Sequence, residues 1–420
     1  MLSTDDGKGV MPDGARRRPP RLRTQFIWVA GGRALSAVLQ AALFVLLARQ
    51  LGPSDFGHVG AFLGLVTLAQ VGVDLGLSTL VTRERAREPG SPLVSSALRL
   101  TTQTAAGILG LLAAGLLVAG WLLDPVYFQM LPLALWAALE RNADVRLSLA
   151  FADGDAKVNV QNIVGRRALS IAIFAAWAPF TDSPVLAFSM ASAIAAFVAN
   201  AAARWATRDR ALGEATVSTL EVLRAARPYW VNSVATQARN VDAALVAGLA
   251  GAHQSGLYAS GSRITTPLRI LPTSLASILI PHAARSQATR AGARRSLRIA
   301  GLASLAASVL YLVIAATVPF VVVPLLGAAY DEAIPVMVIV VLGLPFAAAA
   351  SLVGSVLQGV GDARGVASSS TASTVFCIAG VAAAAPFLGA AGAALMLSMS
   401  YVIQVAALGL RARRTLRTLP

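Results

Sequence analysis

Apolar stretches about as long as a bilayer is thick recur along the chain, at residues 26–48, 56–81, 97–123, 126–150, 160–180, 184–206, 228–250, 256–281, 297–322, 333–357, 366–387 and 390–410. A hydrocarbon core of ~30 Å takes about 20 helical residues, so the pattern predicts twelve membrane-spanning helices. Polar residues within these stretches are grouped: Arg33, Ser36 and Gln40 in the first, Thr67, Gln70, Asp74 and Ser78 in the second, Asn232, Thr236, Arg239 and Asn240 in the seventh, and Arg263, Thr266, Arg269 and Thr273 in the eighth. At ~100° per residue each group falls within about 120° of arc, so each of these helices carries one hydrophilic stripe on an apolar cylinder.

The chain also repeats itself. Leu51-Gly52-Pro53-Ser54-Asp55-Phe56-Gly57 overlays Ala250-Gly251-Ala252-His253-Gln254-Ser255-Gly256, and Gly154-Asp155-Ala156-Lys157 matches Gly361-Asp362-Ala363-Arg364. Each copy occupies the same place in its half, and six spans per half give the halves one orientation, as in parallel-repeat transporters. The expected architecture is an all-α polytopic membrane protein of two pseudo-symmetric six-helix lobes. The reading divides it into a disordered basic tail at 1–25, an N-lobe at 26–206, an inter-lobe linker at 207–227, a C-lobe at 228–411 and a tail at 412–420. Residues 26–48 are too long for the apolar region of a signal peptide and no small-residue cleavage site follows, so they are read as a retained first span.

Composition strengthens this picture. Of the 420 residues 56% are hydrophobic and only 13% charged, with a mean hydropathy of +0.68, whereas soluble domains carry about 25% charged residues. A water-soluble enzyme is excluded, and no alternating strands or aromatic girdles point to an outer-membrane barrel. The net charge of +15 is unevenly spread. Arg83, Arg85 and Arg87, then Lys157, then Arg208, Arg210, Arg224 and Arg227, then Arg285, Arg290, Arg294 and Arg295, then Arg364 fall in alternate connections, with six basic residues in the N-terminal tail and Arg411, Arg413, Arg414 and Arg417 at the other end. The remaining connections hold acids such as Asp55, Asp124, Asp182, Asp331 and Glu332. By the positive-inside rule both termini are cytoplasmic, and the excess charge reads as topology rather than as a nucleic-acid surface. Cys377 is the only cysteine, so disulfides and cysteine-based metal sites are excluded. His58, His253 and His282 lack metal-ligand spacing, and no metal or cofactor is expected.

A charge in mid-bilayer is costly, about 2.5–3.5 kcal/mol even on insertion scales, and must face protein or water. If the lobes face each other through the striped helices, Arg33, Arg239, Arg263 and Arg269 outnumber Asp74 and Asp242 in the cavity between them, which suits an anion, since a guanidinium holds phosphate oxygens bidentately. Gln40 belongs to the same set. Asp74 and Asp242 are candidate sites for cation or proton coupling. Plainer readings stand beside these: Arg239 and Asp242 as an i,i+3 pair, Arg33 and Arg263 snorkelling to head groups, and Asp74 as a packing hydrogen bond. Glu140, Arg141, Asp144 and Arg146 sum to zero and read as an internal salt-bridge network. Gly31 and Gly32 beside Arg33, and Pro267 and Pro272 on either side of Arg269, read as hinges or as static kinks.

Ala48-Arg49-Gln50-Leu51-Gly52-Pro53 with Asp55-Phe56-Gly57, then Asp74-Leu75-Gly76-Leu77 and Arg83, resembles the N-terminal signature of the polysaccharide-biosynthesis flippases, which belong to the multidrug/oligosaccharidyl-lipid/polysaccharide exporter (MOP) superfamily. Asn240-Val241-Asp242 with Ser255-Gly256-Leu257-Tyr258-Ala259 is similar to the start of that family's second half, and the similarity runs over residues 26–410. The resemblance implies a MATE-like two-lobed fold and a carrier that moves a polyprenyl-diphosphate-linked oligosaccharide across the bacterial inner membrane by alternating access, for O-antigen, exopolysaccharide or capsule. Its implied partners are that lipid-linked substrate, membrane lipids and polysaccharide-assembly enzymes, and the cavity role falls on Arg33, Arg239, Arg263 and Arg269. Two other functions are weighed. A cation-coupled multidrug or metabolite exporter would need an acidic cavity, and the first span here has no acid. A membrane glycan polymerase or ligase would need positioned carboxylates or a metal on a sizeable loop, and the non-cytoplasmic loops are short.

Overall fold

In a membrane every backbone polar group must be satisfied within the protein, so an apolar chain rich in alanine and leucine resolves into helices. The computed structural model describes residues 22–210, 212–285 and 290–418. The N-terminal half contains α1 (Leu22–Gln50), α2 (Pro53–Asp74), α3 (Leu77–Arg87), α4 (Pro92–Leu122), α5 (Val126–Gln129), α6 (Leu131–Ala152), α7 (Ala156–Trp177) and α8 (Pro184–Thr207). The C-terminal half contains α9 (Thr219–Gln237), α10 (Asp242–Ala250), α11 (Ala252–Ile264), α12 (Ile270–Arg285), α13 (Arg290–Leu326), α14 (Ala333–Gly359) and α15 (Ala363–Thr418). The expected basic tail falls largely on residues 1–21, outside the described residues, and α1 already begins at Leu22.

Eight described helices are long and apolar enough to cross a membrane. The expected twelve passes arise because α15 is two helices joined at Gly389 (φ 55°, ψ −139°), α6 spans despite Glu140, Arg141, Asp144 and Arg146, and two passes of the C-lobe are broken. The seventh pass is α9 and α10 joined by a 3-10 turn at Ala238–Val241, and the eighth is α11 and α12 joined by one at Thr266–Arg269. Pro267 explains the second break, because it has no N–H to donate and its ring clashes with the preceding turn. The first has no proline. It lies where the carbonyl oxygen of Asn240 presses on α2, so closely that a Cβ at Gly64 would stand 2.7 Å from it.

The two repeated segments meet each other. A Cβ on Gly57 would collide with the carbonyl oxygen of Ala252, and one on Gly256 with the carbonyl oxygen of Pro53, so α2 and α11 approach backbone to backbone. One turn further in, Gly60 packs on Ala259, where an added Cβ would lie 2.7 Å from the alanine methyl. Ser255 donates to the Ala243 carbonyl at 2.9 Å, and the Tyr330 hydroxyl donates to the Leu51 carbonyl at 3.3 Å. Phe56 stands edge-on to Phe44 and Tyr330, within an apolar core that runs through both lobes. This seam closes the molecule at the face opposite the chain ends.

At the face carrying the chain ends the contact is ionic. Leu75 (φ 52°) and Gly76 (φ 75°) are both left-handed, a pairing that ends α2 and redirects the chain into α3. α3 presents Arg85 to Asp153 (2.9 Å), which also receives Arg210 from the inter-lobe segment, and Arg210 reaches Asp155 at 3.4 Å. Val217 N–H donates to Ser96 at 3.1 Å, and Val222 and Ala226 of α9 pack with Leu77, Val81, Val94 and Leu149. In the second half the repeat leaves Asp362 paired with Arg411 at 3.7 Å.

Two outcomes are expected. Gly57→Val drives a side chain into the opposing backbone and lowers the melting temperature of the detergent-solubilised protein, costing about 3 kcal/mol or more, whereas Gly31→Val, in open space, leaves it unchanged. Equal melting of the two variants contradicts a close-packed seam. Partial burial works against the Asp153 carboxylate, but the hydrogen bonds and charges of Arg85 and Arg210 outweigh it and hold its carboxyl below the ordinary range. The clasp therefore stabilises above the unfolded-state value of about 3.9 and fades as pH falls through the lower folded value. Asp153→Asn removes no more than about 1 kcal/mol at pH 7, and the gap in melting temperature from the parent narrows below about pH 4.

Candidate functional site

A cavity of about 400 Å³ lies between the lobes, just inside the seam. Five helices of the N-lobe, α1, α2, α6, α7 and α8, form most of its wall, and the C-lobe adds Asn240, Arg263 and Thr266. The polar stripe of α1 is aimed into it, since Arg33, Ser36 and Gln40 all line it. Arg33 is exposed and stands at the end away from the seam. α1 runs unbroken through Gly31 and Gly32. Gly31 faces open space, and Gly32 lets α1 close on Val160 of α7.

Three guanidinium groups border this space. Arg263 reaches from α11 across to α2 and donates to the Gly60 carbonyl at 2.9 Å, a contact that exists because the glycine seam brings the two backbones together. Arg33 enters from α1. The third, Arg167, sits halfway along α7 and lines the cavity. Its Nη2 donates to Glu140 at 2.7 Å, and Glu140 is also held by Arg166 at 3.3 Å, which reaches Asp144 at 2.8 Å. The span-4 cluster is thus an ionic network whose cations come from α7. Arg141 of α6 stands outside that network: it pairs with Asp74 of α2 and donates to Ser78 at 2.8 Å. Among the described residues no carboxylate lines the cavity.

The other two arginines sit together elsewhere in the C-lobe, Arg239 half-buried and Arg269 exposed. Arg239 donates to Ser373 at 3.0 Å and Thr374 at 3.4 Å, and its guanidinium carbon stands 4.9 Å from the ring centre of Tyr401. Arg269 stands 5.4 Å from the same ring. The structure therefore places Arg33 and Arg263 on the cavity, and Arg239 and Arg269 together on Tyr401. Asp242 begins α10 and accepts from the Tyr258 hydroxyl at 2.6 Å and from Ala243 N–H at 2.7 Å. Pro267 lies in the break of the eighth pass and Pro272 is buried in α12. The side chains of Asn232, Thr236 and His282 fall outside the described residues. Arg167, Tyr258 and Tyr401 were not singled out by sequence. For Arg167 a signal existed: an arginine ten residues or more inside a helix of spanning length cannot belong to a loop.

Chemically, the cavity offers fork-shaped cations from both lobes and, among the described residues, no competing carboxylate on its wall, an arrangement suited to holding an oxyanion rather than a cation.

Several solved structures share the fold. An inward-facing multidrug resistance MATE family transporter of the MOP superfamily superposes with a TM-score of 0.71 at 16% identity, over 91% of this chain and 95% of that one. An outward-facing MATE transporter gives 0.66 at 17% identity, over 94% and 96%. A MOP superfamily transporter from Pyrococcus furiosus, described as having a binding pocket of reversed polarity that suggests a different function, gives 0.63 at 16% identity, over 94% and 96%. No match is found among curated proteins. The fold is thus that of the MOP transporters, an all-α membrane protein of two six-helix lobes. At the level of sequence, the model of a family described as polysaccharide biosynthesis protein matches residues 46–335, more than half of the chain. The chain belongs to the polysaccharide biosynthesis protein family.

Proposed function

We propose that this membrane transporter carries a polyprenyl-diphosphate-linked oligosaccharide from the cytoplasmic to the periplasmic leaflet of a bacterial inner membrane, with both termini in the cytoplasm, supplying enzymes that assemble a surface polysaccharide. The observation that carries the reading is the convergence of Arg33, Arg167 and Arg263 on one inter-lobe cavity. A diphosphate brings oxygens enough for several guanidinium groups, and in a membrane-embedded site each charge-assisted hydrogen bond is strong. The family match to polysaccharide biosynthesis and the two-lobed fold support the same substrate class. Alternating access then means parting the Gly57–Gly256 seam, and Arg263, bonded to the opposite lobe through Gly60, is placed to register both the substrate and the seam.

A cation-coupled drug exporter is less well supported. Such a carrier needs a carboxylate facing its substrate, but Asp74 is engaged by Arg141 and Asp242 by Tyr258.

Arg263→Gln and Arg167→Gln are each expected to lower surface polysaccharide at least ~10-fold, as loss of one or two charge-assisted hydrogen bonds would, with unchanged membrane levels. Arg364→Gln, at an exposed position, leaves export intact. Normal export from Arg263→Gln would overturn the proposal. A deletion strain with altered drug susceptibility and normal polysaccharide would favour the exporter.

A further inference from the structure

The C-lobe holds two cations on one ring. Arg239 and Arg269 stand 4.9 Å and 5.4 Å from the centre of Tyr401, which is buried. Among the described residues neither forms an ion pair within 4 Å. Arg239 is anchored by neutral groups. Ser373 spends its own proton on the Ser400 carbonyl at 2.6 Å, so its oxygen is free to accept from Arg239, and Thr374 accepts from the same Nη2. The acid whose charge Arg239 feels, Asp242, is occupied by the Tyr258 hydroxyl and by Ala243 N–H.

Stacking on an aromatic face holds a guanidinium without neutralising it and leaves edge N–H groups to bond elsewhere. Two like charges gathered on one ring inside a membrane repel each other strongly, and an oxyanion bridging them would relieve that repulsion. The arrangement is also private to this half. Counting back by the offset that aligns Gly256 with Gly57, the mates of Arg239 and Arg269 in the N-lobe are Gln40 and Gln70. Both arginines belong to the 3-10 turns that break the seventh and eighth passes, where α1 and α2 run continuously. The same turns supply Asn240 and Thr266 to the cavity wall, so the cation pair lies just behind the cavity on its C-lobe side.

We infer that Arg239 and Arg269, positioned by Tyr401, form a second oxyanion site for a phosphate-type group, separate from the one bordered by Arg33, Arg167 and Arg263. The inference rests on the proposed transport only for its physiological ligand, a second anionic group of the same carried molecule. Tyr401 is the positioning residue.

The test is titration of inorganic pyrophosphate into the purified full chain in nanodiscs at fixed low ionic strength. Two binding events are expected. Arg269→Gln, at an exposed side chain, and Arg239→Gln each remove one event and spare the other, which Arg263→Gln removes instead. Tyr401→Leu weakens the second event roughly fivefold to tenfold, the range for losing such a stack. Tyr401→Phe, which keeps the ring face, restores it, a rescue that a purely structural role for the hydroxyl would not give. A single event indifferent to Arg239→Gln and Arg269→Gln overturns the inference. A parent protein that shows only the event lost in Arg239→Gln and Arg269→Gln, with none sensitive to Arg263→Gln, would count against the proposed cavity and leave this site standing.

Discussion

The architecture depends on one close approach, the meeting of Gly57 with the Ala252 backbone and of Gly256 with the Pro53 backbone. In lipid, no hydrophobic force draws one apolar helix to another, so association relies on small residues that let backbones touch. Here the touching residues are copies of each other in the internal repeat, and the contact is reciprocal in the manner of a two-fold interface, position i meeting position i′. Everything nearer the middle of the membrane inherits that geometry. Gly60 meets Ala259, Gly64 accommodates the break at Asn240, and the Gly60 carbonyl comes within 2.9 Å of Arg263. A side chain at either glycine would separate α2 from α11 and leave the cavity without its roof.

Much of this was legible in the chain. The length of the apolar stretches predicts the passes, and the aligned motifs turn out to name the residues that face each other across the seam. The stripe of α1 predicts its cavity face, because Arg33, Ser36 and Gln40 share one arc of a helix that proves to be unbroken. Pro267 announces one helix break. The break at Ala238–Val241 has no such signal, since its cause lies in α2, where Gly64 meets the Asn240 carbonyl. The partner of Asp74 was equally hidden: Arg141 belongs to α6, and which face α6 turns toward α2 is decided by packing, not by periodicity along either helix. The same holds for Tyr401, whose role emerges only when two turns from distant helices bring their arginines to one ring.

The two halves share a plan and differ in how they treat charge. In the N-lobe, Asp74, Glu140 and Asp144 are matched by Arg141, Arg166 and Arg167, so that the framework is braced by ion pairs and only part of Arg167 is offered to the cavity. In the C-lobe, hydroxyls and an aromatic ring do the bracing around Arg239, and charge is left over. A buried ion pair offers little net stability for the cost of desolvating both partners, which makes the N-lobe network better suited to fixing helix rotation than to strengthening the fold. An uncompensated guanidinium is costlier still, a cost that the ligand of the proposed second oxyanion site would offset.

The preference for arginine follows from the same geometry at these positions. Arg166 reaches Glu140 and Asp144 with separate nitrogens, Arg239 places one nitrogen between two hydroxyls while its plane lies over a ring, and Arg263 spans the lobes to a backbone carbonyl. An ammonium is compact, strongly hydrated and without a plane to stack. It could supply the charge at any of these sites, but its three donors radiate from one point, so it could not span two separated partners in one plane or stack on a ring while leaving an edge free. That capacity to be held on one side and available on the other is what a site needs if it is to release its anion at the far leaflet, because a cation fully satisfied by the protein would not bind, and one satisfied only by the ligand would not let go.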